Sequence, residues 1–517
     1  MSGVGQCPGC GSPLEFRVAT SVVAVCSSCQ QVVARGGVAV FDLGKSNPVL
    51  VTHSALSIGA SGTVRGRGFT VVGRCQLKHV LGGIWNEWYA LLDNNKWTWI
   101  AEHQGRICVM GEVSAGQAPD IRSLDAAQPG SRWLSGRGEV IVAERGIATL
   151  HAEEGELPWR AVPNERRAYV DLSAAGGAFS TLDLGSVGAD ERPAGPRRYF
   201  VGFEIAAADL AIRHAAVPHE VQPRIEGAQL VKCPRCSAPL ELKRPEDTMT
   251  IVCGSCGSAL AVEEDQRLGF LFAQTLGVRP RIPLGARARL AESVFVHARP
   301  QDKKPLDVEV VAFIVRSVVE DGETFFFYEY LLATKGDDFR WLVESDGGWQ
   351  LFQPIATGAV TQSTGAGSAS YQGANFARQS TSTPKVEQVM GELYWRVLRG
   401  DTASASDYQR NGGFRLSVER TADEVNWTYG FGVPTRALEQ TFLVKLPRTV
   451  TSSMGSPYAS SEDSGDFEDA RSAAGFIALA GLLLFCVWVV SQCDDDNSSS
   501  GGGHGSYGGG GGTSFGK

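Results

Sequence analysis

The chain has 517 residues, 43% of them hydrophobic and 20% charged, a globular composition with length for several domains. Its 48 basic side chains stand against 56 acidic ones, and no long basic run is present, so the summed field repels phosphate and argues against nucleic acid as a partner. The opening "MSGVGQCPGC" carries neither a charged stretch nor an apolar one, which leads us to expect the bulk of the chain in the cytosol with reduced thiols.

Two cysteine modules come first in the reading. Cys7 and Cys10 are followed by Cys26 and Cys29, and Cys233 and Cys236 by Cys253 and Cys256, so that each set consists of two Cys-x-x-Cys knuckles. A knuckle aims two thiolates at one point, and a second knuckle returning on a β-hairpin completes a tetrahedron around Zn2+. Two structural zinc sites are expected, one in each zinc-ribbon-like module, at 5–43 and 230–264. Four thiolates leave no open position for water or substrate. Cys75 and Cys108 have no partner pattern and read as buried small hydrophobes.

The stretches after the two modules are related. "WNEWYALLDNNKWTWIAEHQG" sets Glu87, Trp99 and Glu102 at the spacing of Glu329, Trp341 and Glu344 in "FYEYLLATKGDDFRWLVESDGG", with Trp88 matching Tyr330. "GELPWRAV" answers "GELYWRVL", so Glu156 and Trp159 correspond to Glu392 and Trp395. Short β-branched and aromatic runs such as "GFTVVGRC", "GEVIVAE", "VEVVAFIVRSVV" and "RLSVERT", broken by Gly, Asn and Asp, predict strands. The fold class expected is mainly β: each zinc-ribbon-like module is followed by an antiparallel barrel or sandwich domain, at 50–215 and 280–447. The stretch from 357 to 384, poor in large apolar residues, is expected to be a mobile loop.

Residues 448–472 read as a linker and 494–517 as a Gly-rich disordered tail. Between them, "AAGFIALAGLLLFCVWVVSQC" at 473–493 carries no charge over the length a helix needs to cross a bilayer, which predicts one C-terminal transmembrane helix. The expected placement is single-pass in a bacterial inner or cytoplasmic membrane, with the bulk of the chain cytosolic.

With "WNEWYALL", "YEYLLATKGDDFRWLVESDGGW", "GELYWRVLRGDTASASDYQRNGGFRLSVERT" and "EVNWTYG", the chain resembles the bacterial domain of unknown function 4178 family. The second unit carries the fuller pattern, including Asp407, Ser417 and Glu419, whereas "NERRAYVDLS" in the first departs from "GDTASASDY". The resemblance implies no established activity; it implies a setting in bacterial membrane-stress or polyamine-linked systems, an association and not a mechanism.

No His-x-x-x-His or His-Glu-x-x-His set is present, and no glycine run has the strand-loop-helix context of a phosphate cradle. Glu87 with Glu102, and Glu329 with Glu344, are the repeated carboxylate pairs open to acid–base chemistry, against a packing role beside aromatics. The candidate binding surface comprises Glu87, Trp99, Glu102, Glu329, Tyr330, Trp341, Glu344, Glu392 and Trp395. The favoured function is a membrane-anchored cytosolic adaptor whose two units bind another protein. The alternative is an enzyme or small-ligand-binding protein that uses the second β domain.

Overall fold

The computed structural model describes residues 3–447 except 17–20, 36–39, 50–53, 80–83, 104–105, 160–161, 163, 206–208, 215–228, 243–247, 263–267, 321, 335–338 and 346–347. The first unit contributes β1 (Arg67–His79), β2 (Ile84–Leu92), β3 (Trp97–His103), β4 (Arg106–Val113), β5 (Gly138–Leu157), β6 (Arg166–Ala174), β7 (Ala178–Val187) and β8 (Arg198–Ile205). β-Branched and aromatic side chains favour the extended backbone, and turn residues end each run. Between β2 and β3, for example, Asn95 takes the left-handed conformation at φ 60° while Leu92 N donates to Lys96 O.

The strands pair antiparallel in the order β1-β2-β3-β4-β8-β7-β6-β5. Strand β5 has a long reach: its first half pairs with β6 and its second half with β1, which closes the sheet into a barrel without free edges.

The second unit repeats this order with β9 (Leu306–Glu320), β10 (Glu323–Thr334), β11 (Phe339–Ser345), β12 (Gly348–Ile355), β13 (Ala374–Ser382), β14 (Lys385–Leu393), β15 (Ser404–Arg410), β16 (Phe414–Arg420) and β17 (Val425–Val433). The counterpart of β5 is here divided at Pro384, because proline cannot donate to the ladder. Its first part, β13, pairs with β15 and its second part, β14, with β9. A helix, α1 (Thr435–Phe442), follows.

Alternation along each strand gives every barrel an inner and an outer face. Outside the second barrel, Ile282, Leu290, Val294 and Phe295, together with Ala437, Leu438 and Phe442 of α1, cover Tyr330, Leu332, Trp349 and Phe431. Both faces are therefore buried, and "VEVVAFIVRSVV" is apolar almost throughout for that reason. The two barrels touch where Gly358 N donates to Ser173 Oγ at 2.7 Å and Arg145 meets Asp423 through a backbone hydrogen bond and a 3.3 Å ion pair.

Three expectations are corrected. The ribbon and β domain are not successive separate modules: strands Val23–Val25 and Thr250–Val252 hydrogen-bond to β5 and β14 and extend the barrel sheets. The expected transmembrane helix is likewise not part of the observed fold class. Among the described residues no helix is long and apolar enough to cross a membrane; the span expected at 473–493 lies outside the described residues, as do the linker and tail. The expected mobile loop at 357–384 contains strands Val360–Gln362, Ser368–Tyr371 and β13. Tyr371 and Phe376 anchor them in the core, together with the smaller Val360 and Ala369.

Candidate metal centres and barrel interiors

In each cysteine set the four Sγ atoms lie within 4.8 Å of one another, an arrangement that could hold a metal ion. Cys7–Cys29 and Cys10–Cys26 are 3.6 Å apart, Cys236–Cys253 3.6 Å and Cys233–Cys256 3.8 Å. Thiolates ~2.3 Å from a tetrahedral zinc stand ~3.8 Å from each other, so the sulfur cages have the right size.

Local backbone fixes these cages. The residue after each knuckle, namely Gly11, Gln30, Ser237 and Gly257, has positive φ, and its amide donates to the carbonyl of the knuckle's first cysteine. Ser12 and Ser258, each beside a thiol, hold Cys10 and Cys256 down at about 6, while, against the backbone hydrogen bonds of Gln31 and Ala238, burial and the surrounding thiols push Cys29 and Cys236 up to about 12.

The repeated Gly-Glu-Leu stretch is the junction between cluster and barrel. Gly155 and Gly391 have φ of 72° and 89°, and a side chain on either would sit 2.3 Å from a carbonyl oxygen, of Val72 and Val311 respectively. The bend carries Glu156 and Glu392 off the barrel and onto Ala24 and Ile251 of the ribbon strands. Glu392 is buried and accepts from Thr248 Oγ1. Just beyond, Trp159 packs on Trp99 with ring centroids 4.7 Å apart, and Trp395 on Trp341 at 5.6 Å. Trp99, Trp341 and Trp395 are core residues, not an exposed surface.

The repeated carboxylates do not form pairs. Glu87 is opposite Cys75 and Ala101, and Glu329 is opposite Ile314 and Val343, with both side chains inward. Their partners Glu102 and Glu344 are opposite Asn86 and Tyr328, and point outward. A sheet therefore separates Glu87 from Glu102 and Glu329 from Glu344, and neither pair can act together on one substrate atom. On the outer face, Glu102 accepts from Trp88 Nε1 at 2.6 Å and Ser54 Oγ at 2.5 Å, while Glu344 pairs with Arg281. Tyr330, also outward and buried, accepts from Arg281 N at 3.0 Å. These contacts fasten the segments that precede β1 and β9 over the barrel walls.

Inside the second barrel lies a cluster that sequence reasoning assembled only in part. Arg316 of β9 reaches Glu419 of β16 at 2.7 Å and Glu329 at 3.5 Å. Strands β9 and β16 are not neighbours, so the contact crosses the lumen. Burial pushes Glu329 up to about 8, opposed by Arg316 and reinforced by Glu419, and burial raises Asp407 to about 7. Gln350 Oε1 and Thr428 Oγ1, on the same inner face, are buried without hydrogen-bond partners. Arg316 went unnoticed because it sits in an apolar run. Its signal was a lone cation there, two positions from Ile314, which is opposite Glu329.

Among curated proteins and among solved structures no match to the chain is found. Residues 304–435, the stretch that builds the second barrel, match the family model described as a domain of unknown function (DUF4178).

Proposed function

We propose that the chain is a non-enzymatic adaptor whose two units, each a zinc-stapled ribbon fused to a β-barrel, engage a protein partner together. Zinc is the metal that four thiolates at these separations suit, and closed four-sulfur sites are structural. Residues 50–215 form a second domain of the kind matched at 304–435. Supporting this, the strand order agrees around both rings, and the register agrees from Trp99–Met110–Gly202–Phe179 to Trp341–Phe352–Gly430–Arg415.

The observation that carries the reading is the positive-φ glycine junction, present in both halves, which couples each sulfur cage to its own barrel. Ribbon and barrel are thereby a single repeated body, and two such bodies on one chain raise the effective concentration of the second contact once the first is made. Co-purification with the full chain tests this, comparing the unaltered protein with Cys26→Ser, Cys253→Ser and the double variant. A specific partner retained by the unaltered chain and weakened by either single variant supports the bivalent adaptor. Capture unchanged in the double variant, or no specific partner from any chain, refutes it.

A further inference from the structure

The two barrel interiors share a register but differ in where their charges sit. In the second, Glu329 and Glu419 stand around Arg316, Asp407 and Arg415 share that inner face, and Glu309, Glu320 and Glu323 lie on it towards the strand ends. In the first, alternation places Glu87, Glu112, Glu144, Glu153, Asp171, Asp183 and Glu204 on the inner face, together with Arg167 and Arg198.

Both first-barrel guanidiniums are engaged. Arg167 holds Asp183 at 2.6 Å and Glu165 at 2.9 Å; Arg198 forks onto Glu112 at 3.0 and 2.7 Å and lies over the Trp159 ring at 3.8 Å. Leu77 stands where the second barrel has Arg316: Cys75 and Leu77 are opposite Glu87 and Trp85, as Ile314 and Arg316 are opposite Glu329 and Phe327.

A second observation singles out the same place. Glu153 is 3% exposed, both its carboxylate oxygens lack a hydrogen-bond partner, and it is opposite Cys75, whose other neighbour across the sheet is Glu87. At the corresponding position the second barrel has Val389. Trp85 Nε1 donates to one oxygen of Glu87 at 3.3 Å, which leaves the other as an acceptor. Access differs as well: the Asp183, Arg198 and Glu112 side chains retain 18%, 21% and 31% exposure, whereas Arg316 and Glu329 retain none.

We propose that the first barrel binds a small organic cation of the guanidinium class between Glu87 and Glu153, doing there what Arg316 does within the second barrel. A planar guanidinium presents several N–H donors to carboxylates on two sides, which matches the acceptors available. Burial holds both carboxyls up at about 7, with Asp183 and Arg198 also acting on Glu87. The cation therefore competes with protons, and its binding tightens as pH rises through neutrality.

The test is calorimetric titration of the full, metal-loaded chain with methylguanidinium chloride at pH 8. Saturable binding is expected, at least about tenfold weaker at pH 6. Leu77→Arg supplies the cation from within and should abolish binding. Glu153→Gln, which keeps the side chain's shape, should weaken it at least about tenfold and carries the test alone if Leu77→Arg does not fold. Tetramethylammonium, with the same charge but no N–H donor, should not compete. Absence of saturable binding, equal binding of tetramethylammonium, or binding unaffected by Glu153→Gln overturns the proposal.

Discussion

Replacing Glu419 by Gln tests the wiring of the second barrel. Arg316 has lost all contact with solvent, and Glu419 at 2.7 Å is its nearer counter-ion; after the substitution it retains Glu329, at 3.5 Å. Breaking a buried ion pair from one side costs ~3–5 kcal/mol. For a domain of this size each kcal/mol lowers the unfolding midpoint by ~2–4 °C, so the expected drop is about 6–20 °C.

The pH profile should change with it. The Glu329 carboxyl is raised from 4.5 to about 8, so the folded state binds more protons than the unfolded one, and stability falls as pH climbs from 4.5 towards 8. Glu419 is one cause of that rise and Arg316 opposes it. In Glu419→Gln the repulsion is gone, and the decline should end at a lower pH. Thermal unfolding followed by near-UV circular dichroism between pH 4.5 and 9 reads both effects. A midpoint shift below about 2 °C with an unchanged profile would refute the proposed wiring. Replacing Arg316 by Met together with Glu419 by Leu should recover stability relative to Glu419→Gln, since a packed apolar set does not strand a charge.

Other substitutions probe the remaining joints. Gly391→Ala and Gly155→Ala each force a side chain towards a carbonyl at 2.3 Å in a left-handed backbone, and each should cost more than ~1 kcal/mol in urea unfolding. Ser173→Ala removes the acceptor for the buried Gly358 amide and should cost ~1–3 kcal/mol, with the calorimetric transitions of the two barrels separating further. In the first barrel Glu87 and Glu153 are each raised from 4.5 to about 7, so their contribution is most favourable below pH 4.5 and declines up to about 7. Glu153→Gln should flatten that decline in unfolding midpoints measured from pH 4.5 to 8.

Local chemistry made much of this molecule legible. The cysteine spacing identified both sulfur cages, and the β-branched runs identified most strands. The matching Gly-Glu-Leu stretches marked equivalent positions, although their meaning as bends needed the positive φ of Gly155 and Gly391. What remained hidden depends on closure. Glu329 and Glu344 are fifteen residues apart in sequence, and a period of two alone puts them on opposite faces only if the strands meet at the observed register. Alternation could not show which face was the lumen, because packing covers the outside of β9 as fully as the inside. Arg316 was masked by the same layer. The segment from 357 to 384 misled because its strands rest on few large side chains, notably Tyr371 and Phe376.

Metal quantification on the purified full chain tests most directly whether each barrel carries its own zinc-stapled ribbon. Two zinc ions per chain are expected, one after Cys26→Ser, one after Cys253→Ser and none in the double variant, with each single loss lowering the unfolding transition of its own barrel. Fewer than two zinc ions in the unaltered chain, or a single cysteine substitution that empties both sites, would contradict two independent metal-stapled units.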